Sequence, residues 1–579
     1  MDRKAWIAIT LSALGLIGYF YYFGVLHKPP PRPVPPAAQA TATPIPAATV
    51  SAATPTTASP VEQAVISARS ESIANNDTEY VFSNDKGGID KAILGRHIGE
   101  NNQAVALNSG SSLPIGAIGF QTAVPLGGFE MTTDRSTGVV TFTKTEDDGL
   151  QITKRFTVPA EDAPKDQLYT VRLDVEFKNT GAKVTNRPGY FVSTGGAAAI
   201  HPNDMPYYTR FDWFHDGSFS KIDVNWFPAS MVPLTGIQWS PAKPLYSESK
   251  EKTAWAAVTS QYFCTIVDNP ADRGTGVWAT RYETNRSDKA HVFGIQGGLN
   301  MPGFSLQPNE VSTETFTIYT GPKELSRLRK MGDQQERVLD FGIFGIISEF
   351  LLWAMTALHG VLFNSYAAAI IALTLIIKTM LWPIQNKATN EMRKMSLLTP
   401  KMTELREKYK DDPQKMNEET MKLYREYGVN PFSGCLPMLI QIPIFFGFYT
   451  MLGGAIELRN SSFLWVADLS QPDTIAHVLG FPINILPIVM AGTMVWQMII
   501  TPKTGDAMQQ RIFYFMPIIF LVFCYNYASG LALYWTTQNI FSIVQLYVTR
   551  NKPLPVLEKK SVIAKREAAA VSKKKKKRP

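Results

Sequence analysis

Five long uncharged apolar runs crowd the last third of the chain: Tyr366 to Trp382 (broken only by Lys378), Pro431 to Ile456, Ile483 to Thr501, Ile512 to Tyr525 and Ala528 to Val548. Runs of this kind, separated by short polar loops, dictate an α-helical polytopic membrane protein, because an unsatisfied backbone cannot lie in hydrocarbon and helices satisfy it internally. A sixth run, Ala5 to Leu26, follows Asp2-Arg3-Lys4 and ends in the bulky aromatics Tyr19 to Phe23. That suits a retained signal anchor (residues 1–27) with an interfacial aromatic belt better than a cleaved signal peptide. The expectation is six transmembrane helices.

Loop charges orient them. Residues 384–430 hold ten Lys or Arg, the short loop near Lys503 and Arg511 holds two, and Arg550 to Pro579 holds twelve against two Glu. The loop from Glu457 to Phe481 holds only Arg459. Every basic segment is cytoplasmic if both termini are, so the chain is expected to be multi-pass with both termini inside. The tail, residues 550–579, has a net charge of +10, more than the +8 of the whole chain. A run such as Lys573, Lys574, Lys575, Lys576, Lys577 and Arg578 binds polyanions, either anionic lipid headgroups of the bilayer or ribosomal RNA.

Between the anchor and the apolar runs the character changes. Residues 28–60 are rich in Pro, Ala and Thr and read as a linker. Residues 61–330 follow period two: Tyr169, Val171, Leu173, Val175 and Phe177 alternate with polar residues, as do Phe316 and Ile318. Turn signals stand at Asn179-Thr180-Gly181 and Gly297-Gly298. Short alternating strands with frequent turns predict a β-sandwich, on the outer face after one span. Its aromatics Trp213 and Trp226 read as core. Three cysteines spread over 579 residues make neither a disulfide framework nor a zinc site, and seven scattered histidines suggest no metal or nucleophile constellation. No cofactor, metal or catalytic residue is expected, and no nucleotide-binding motif occurs.

Residues 338–359 carry few charges and near-helical apolar spacing, suiting an interfacial amphipathic helix. A span follows over 360–384, and residues 385–430 read as a cytoplasmic helical hairpin. Met395, Leu398, Met402, Leu405 and Tyr409 form one seam, and Met416, Thr420, Leu423 and Tyr427 its continuation. Asp412 is placed to cap a helix starting at Pro413. Met392, Met395 and Met402 are candidate partner contacts, since methionine adapts to varied apolar surfaces. Residues 431–549 hold the remaining four spans, the last two joined by a tight turn near Asn526.

Lys378 is the most informative residue. A lysine at the centre of a span costs about 2.5–3.5 kcal/mol, and each Leu or Ile returns roughly 0.3–0.6 kcal/mol. Seven Leu or Ile in the same run nearly cancel it. The other C-terminal runs contain no carboxylate, Glu457 lying just past one of them, so an internal ion pair is not expected there. Thr374 lies one turn earlier on the same face, and Gln441, Gln497, Asn526, Gln538 and Asn539 are polar groups in or beside other runs. A hydrated cavity open to the cytoplasm would satisfy them together.

The segments LTLIIKTMLWP, NPFSGCLPMLIQIPIFFGFY, DAMQQRIFYFMPIIF and ASGLALYW, in this order and spacing across Val338 to Val548, resemble the YidC membrane-protein insertase family. The anchor and large strand-rich region match its Gram-negative form. The resemblance implies a five-helix core around a hydrophilic groove, and a periplasmic β-supersandwich domain. It places the chain in the bacterial inner membrane. It implies insertion and chaperoning of nascent membrane proteins, alone or beside the Sec translocon, with the ribosome and the signal recognition particle pathway as partners and no small-molecule substrate. Lys378 stands where the family usually has arginine. Thr374, Gln441, Tyr534, Trp535 and Asn539 are the further groove positions expected.

Overall fold

The computed structural model describes residues 69–550 apart from 100–101, 165–166, 232–237, 285–292, 363, 430–435 and 502–506. The anchor, the linker and the basic tail with Lys573–Arg578 lie outside the described residues. The chain divides into two compact units at Gly321/Pro322.

The first unit is built of antiparallel strands. Ser70–Ala74, Thr78–Ser83, Gly88–Ile98 and Ala104–Leu107 form a four-stranded sheet in chain order. A second, 13-stranded sheet runs from Ile118–Gly119 through Thr185–Ala197, Phe293–Leu306, Gly274–Glu283 and Leu245–Thr259. It continues through Phe263–Asp268, Val311–Pro322, Thr170–Asn179, Leu150–Thr157 and Val139–Thr145 to Glu130–Asp134. Thr185–Ala197 packs against Leu245–Thr259 and Phe263–Asp268 although it is hydrogen-bonded to neither, so the sheet folds back on itself as a sandwich. The period-two alternation is the cause. Val171, Leu173, Val175 and Phe177 are buried, and Leu173 faces Phe316 and Phe156 on the flanking strands.

One turn signal is genuine and one is not. Asn179 Oδ1 accepts from the Gly181 amide at 2.9 Å, and its side-chain amide donates to the carbonyls of Lys183 and Leu306. Gly297-Gly298, by contrast, sits inside the strand Phe293–Leu306, opposite Ala279 and Trp278. A Cβ on Gly297 would lie 2.4 Å from the Phe211 ring, and one on Gly298 2.9 Å from the Trp278 indole. These glycines admit aromatic rings rather than reverse the chain. Trp213 is fully buried, and Trp226 packs edge-on to Tyr246 with ring centroids 5.1 Å apart.

The second unit is helical: α1 (Leu325–Met331), α2 (Gly345–Val361), α3 (Tyr366–Lys408), α4 (Pro413–Tyr427), α5 (Leu436–Gly454), α6 (Ile485–Ile500), α7 (Ala507–Tyr525) and α8 (Ser529–Arg550). Among the described residues, two helical stretches have the length and composition to cross a membrane, Gly342–Val361 and Tyr366–Lys408; Leu439–Gly454, Ile485–Ile500 and Tyr514–Tyr525 are shorter apolar helices. The expected helix over 338–359 begins later, at Gly345, because Asp340 and Gly342 take left-handed backbone angles. The larger departure is α3. It does not stop at Pro383 but runs unbroken through Pro383 and Pro400 for 43 residues, about 65 Å. Each proline removes one N–H from a long ladder, which leaves most of the ladder intact.

Asp412 Oδ1 accepts from the Lys415 amide at 3.0 Å and starts α4 at Pro413. The hairpin of α3 and α4 closes on Met395, Leu398, Met402, Tyr424 and Val429, with Leu423 and Tyr427 at its edge. Tyr424, rather than Met416 or Thr420, is the α4 residue buried in this core, and its hydroxyl lies 3.3 Å from the Met402 sulfur.

Candidate functional site

Lys378 and Thr374 occupy one face of α3, one turn apart, and are only 5% and 1% exposed. The opposite face carries Ile376 and Met380, both exposed. The helix therefore turns its cation inward and its hydrocarbon outward, the reverse of a water-soluble helix. Ser365 starts it by accepting from the Ala368 amide.

The inward face meets α5 and α8. Lys378 Nζ donates to Gln441 Oε1 at 3.3 Å. The Gln441 amide nitrogen donates to the Tyr534 hydroxyl at 2.9 Å and to Gln538 Oε1 at 2.8 Å. One glutamine thus ties three helices together at the cation. An ammonium has three donors and Gln441 accepts one; the other two have no hydrogen-bond partner among the described residues. The positive charge meets a dipole and no carboxylate. Thr374 spends its hydroxyl on the Ile370 carbonyl of its own helix at 2.7 Å. Tyr534 stacks on Phe448 with centroids 4.0 Å apart, and Trp535 is wedged between Phe445 and Phe520 at 4.8 and 4.6 Å. These rings fix the α8 wall of the cluster.

Asn539 is not part of it. One position beyond Gln538 is a rotation of about 100°. Its amide instead donates to Thr493 Oγ1 at 3.0 Å and approaches the Met490 carbonyl at 3.4 Å, fastening α8 to α6. Asn526 is exposed in the turn between α7 and α8. Met395 and Met402 lie inside the hairpin core, and Met392 is half-buried on α3.

From the middle of α3 and toward the end of α8 a second polar cluster extends the first. Gln545 donates to Asn386 Oδ1 at 3.1 Å, and the buried Arg393 guanidinium donates to the Thr549 carbonyl at 2.8 Å. Tyr534, Gln538, Gln545 and Thr549 fall within about 60° of one another on α8. That spacing, readable as i, i+4, i+11 and i+15, was the signal for a polar lane between α3 and α8. Arg393, Asn386, Gln545 and Thr549 are the members that inspection of single runs misses.

Two family models match the chain in succession: the YidC periplasmic domain over residues 73–354 and the 60Kd inner membrane protein over residues 357–555. A membrane protein insertase YidC of Geobacter sulfurreducens is 32% identical over 94% of this chain and 98% of its own length. This chain belongs to the YidC membrane protein insertase family. Another YidC insertase, of Pelobacter propionicus, is 29% identical over 95% of this chain and 99% of its own, and that of Nitratidesulfovibrio vulgaris strain Miyazaki F is 36% identical over 70% of each. Family membership makes this an inner-membrane protein with a large periplasmic β-sandwich, which is the first unit. The polar lane of the second unit is then a lane inside the bundle of a YidC insertase.

Proposed function

We propose that this protein inserts integral membrane proteins into the bacterial inner membrane and helps them fold, with the lane headed by Lys378 as the path for the hydrophilic part of its clients. The observation that carries this reading is the cation bonded to Gln441, with Tyr534 and Gln538 behind it, inside otherwise apolar helices. In hydrocarbon, a polar group without partners costs several kcal/mol, roughly 2–7 depending on the reference state. A lane of amides, hydroxyls and two buried cations lowers that cost for a short client flank. The Lys378 charge attracts acidic residues in the flank. The client's apolar segment partitions into lipid alongside, and that transfer supplies the free energy. No covalent chemistry is required, in keeping with relatives named as insertases.

The finer topology belongs to the same reading. Six spans, five of them forming the core around a groove, place both termini and the α3–α4 hairpin in the cytoplasm, with the sandwich as a supersandwich outside. The basic tail and the hairpin engage the ribosome and the signal recognition particle pathway, and the chain also works beside the Sec translocon. Thr374 and Trp535 line the groove with the Lys378 cluster; Asn539 serves it by bracing α8. Removing residues 572–579 is expected to weaken ribosome binding, most visibly at salt high enough to screen the remaining contacts.

The test is reconstitution of the purified protein in liposomes with a short single-span client. Insertion well above that of protein-free liposomes is expected. No gain over empty liposomes would end the proposal.

A further inference from the structure

The connection between α5 and α6 contains an antiparallel hairpin, Thr474–Val478 paired with Phe481–Asn484. Leu479 and Gly480 turn it, both at positive φ, 51° and 83°. Such a two-residue turn favours Asn-Gly or Asp-Gly, because a branched apolar residue is disfavoured in the left-handed region. Here the residue taking that conformation is leucine, and it is 97% exposed; Phe481 beside it is 74% exposed, and Ile475 and Val478 are more than half exposed. From Thr474 to Ile500 the chain holds no Asp, Glu, Lys or Arg. A protruding hairpin of this composition in water would be a sticky edge.

Its base is rigid. Thr474 Oγ1 bonds to Asn484 Oδ1 at 2.7 Å, and the Asn484 amide donates to the Tyr525 carbonyl at the end of α7 at 2.6 Å. The Tyr525 hydroxyl donates to the Pro482 carbonyl at 2.7 Å. Asp473 accepts from the Leu486 amide in the first turn of α6 and from the Trp465 indole. The tip is therefore held at a fixed place relative to the outer ends of α6 and α7.

Helix length supplies the occupant. α6 has 16 residues, about 24 Å, against a hydrocarbon thickness of about 30 Å. Its exposed stripe, Ile488, Val489, Val495, Trp496 and Ile499, stops short by roughly 6 Å, and the hairpin continues the uncharged surface from that end. The two strands have open edges, so their backbone needs water and cannot enter hydrocarbon deeply. The interfacial zone meets both demands.

We propose that the hairpin is a lipid anchor, with Val478, Leu479 and Phe481 seated at the headgroup–acyl boundary of the outer leaflet and completing the membrane-facing surface of α6. The anchor rests on the reading of α6 as a span. It fixes the depth of α6 and α7, and through Asn539 and Thr493 it fixes the depth of α8, the wall that carries Gln538.

The test places one nitroxide at Leu479→Cys in the full chain carrying Cys435→Ser, reconstituted in phosphatidylethanolamine/phosphatidylglycerol vesicles; the two other cysteines, Cys264 and Cys524, are buried. Reference labels are Val495→Cys on α6 and Asp216→Cys in the β unit. Collision with oxygen over a water-soluble nickel complex is expected to place Leu479 on the lipid side, with nickel access several-fold below that at Asp216. Phe481→Cys is expected to repeat the pattern and serves if the leucine variant does not fold. Nickel access at both tip positions equal to that at Asp216, with Val495 in lipid, overturns the anchor, leaves the span reading standing and frees the tip for a protein partner. Water-like behaviour at Val495 overturns both.

Discussion

Lys154 in the β unit and Lys378 in the helical unit are both buried, and they are held in opposite ways. Lys154, in the strand Leu150–Thr157, is fully buried; its ammonium donates to the Gly87 carbonyl and lies 4.3 Å from the centre of the Phe129 ring and 5.7 Å from that of Phe142. Burial lowers its pKa to about 7. Its partner is the backbone of a turn, so it pins the loop at Lys86-Gly87 to the sheet and has no route to anything else. Lys378 donates to a side-chain amide that is itself shared by Tyr534 and Gln538, and it heads a lane of further polar groups. A cation closed in by backbone and rings is structural; a cation at the end of a row of side-chain dipoles has a path along which its charge can act. Burial alone does not distinguish them, and the second group on the partner does.

The largest effect that would sharpen this contrast is on stability against pH. Lys154 has a folded pKa lowered from 10.5 to about 7. Between these values the unfolded chain binds the proton and the folded chain does not, so stability rises with pH. The slope is at most about 1.4 kcal/mol per pH unit. Thermal unfolding of the β unit in the full-length protein, wild type against Lys154→Met, is expected to diverge in favour of the wild type from pH 7.5 to 9.5. Parallel curves would show that Lys154 keeps its charge in the sandwich.

Next in size is Gln441→Leu. It removes the acceptor of Lys378 and the donor to Tyr534 and Gln538 at one stroke, so a loss of about 1–3 kcal/mol is expected, read as a lower unfolding temperature in detergent. An unchanged midpoint would mean that the cluster contributes nothing to the packing of α3, α5 and α8.

A smaller effect is expected at Arg393, the other buried cation of the lane. Arg393→Ala frees the Thr549 carbonyl at the last turn of α8, a loss of roughly 1–2 kcal/mol for a charge-assisted bond. Amide exchange in that turn is expected to quicken while the middle of α8 does not change. Uniform exchange along α8 would remove Arg393 from the lane.

How far these features could be read beforehand depends on how local they are. The alternation from Tyr169 to Phe177 is a property of consecutive residues and reports the sandwich directly. Lys378 and Thr374 share a face by helical spacing alone, so their pairing was legible too. Gln538 and Asn539 were not separable, because neighbours on a helix differ by direction and only the position of α5 and α6 decides which one meets Gln441. Gly297-Gly298 carries a turn signal locally, yet the rings of Phe211 and Trp278 arrive from distant strands and need the missing side chains. Pro383 marks a helix end in most soluble contexts, but flanking helical sequence on both sides carries α3 through it. Residues close in sequence declared their roles; those whose role depends on a partner chain segment far away did not.

The central claim is that the Lys378 charge acts on the client through the lane. The direct measurement is insertion, in liposomes, of a single-span client series whose translocated flank carries none, one, two or three acidic residues, by wild type, Lys378→Arg and Lys378→Ala. Lys378→Arg is expected to match the wild type across the series, and Lys378→Ala to fall progressively behind as acidic residues are added, on the order of tenfold for a differential interaction of about 1.4 kcal/mol. Equal insertion by Lys378→Ala at every flank charge would contradict the account.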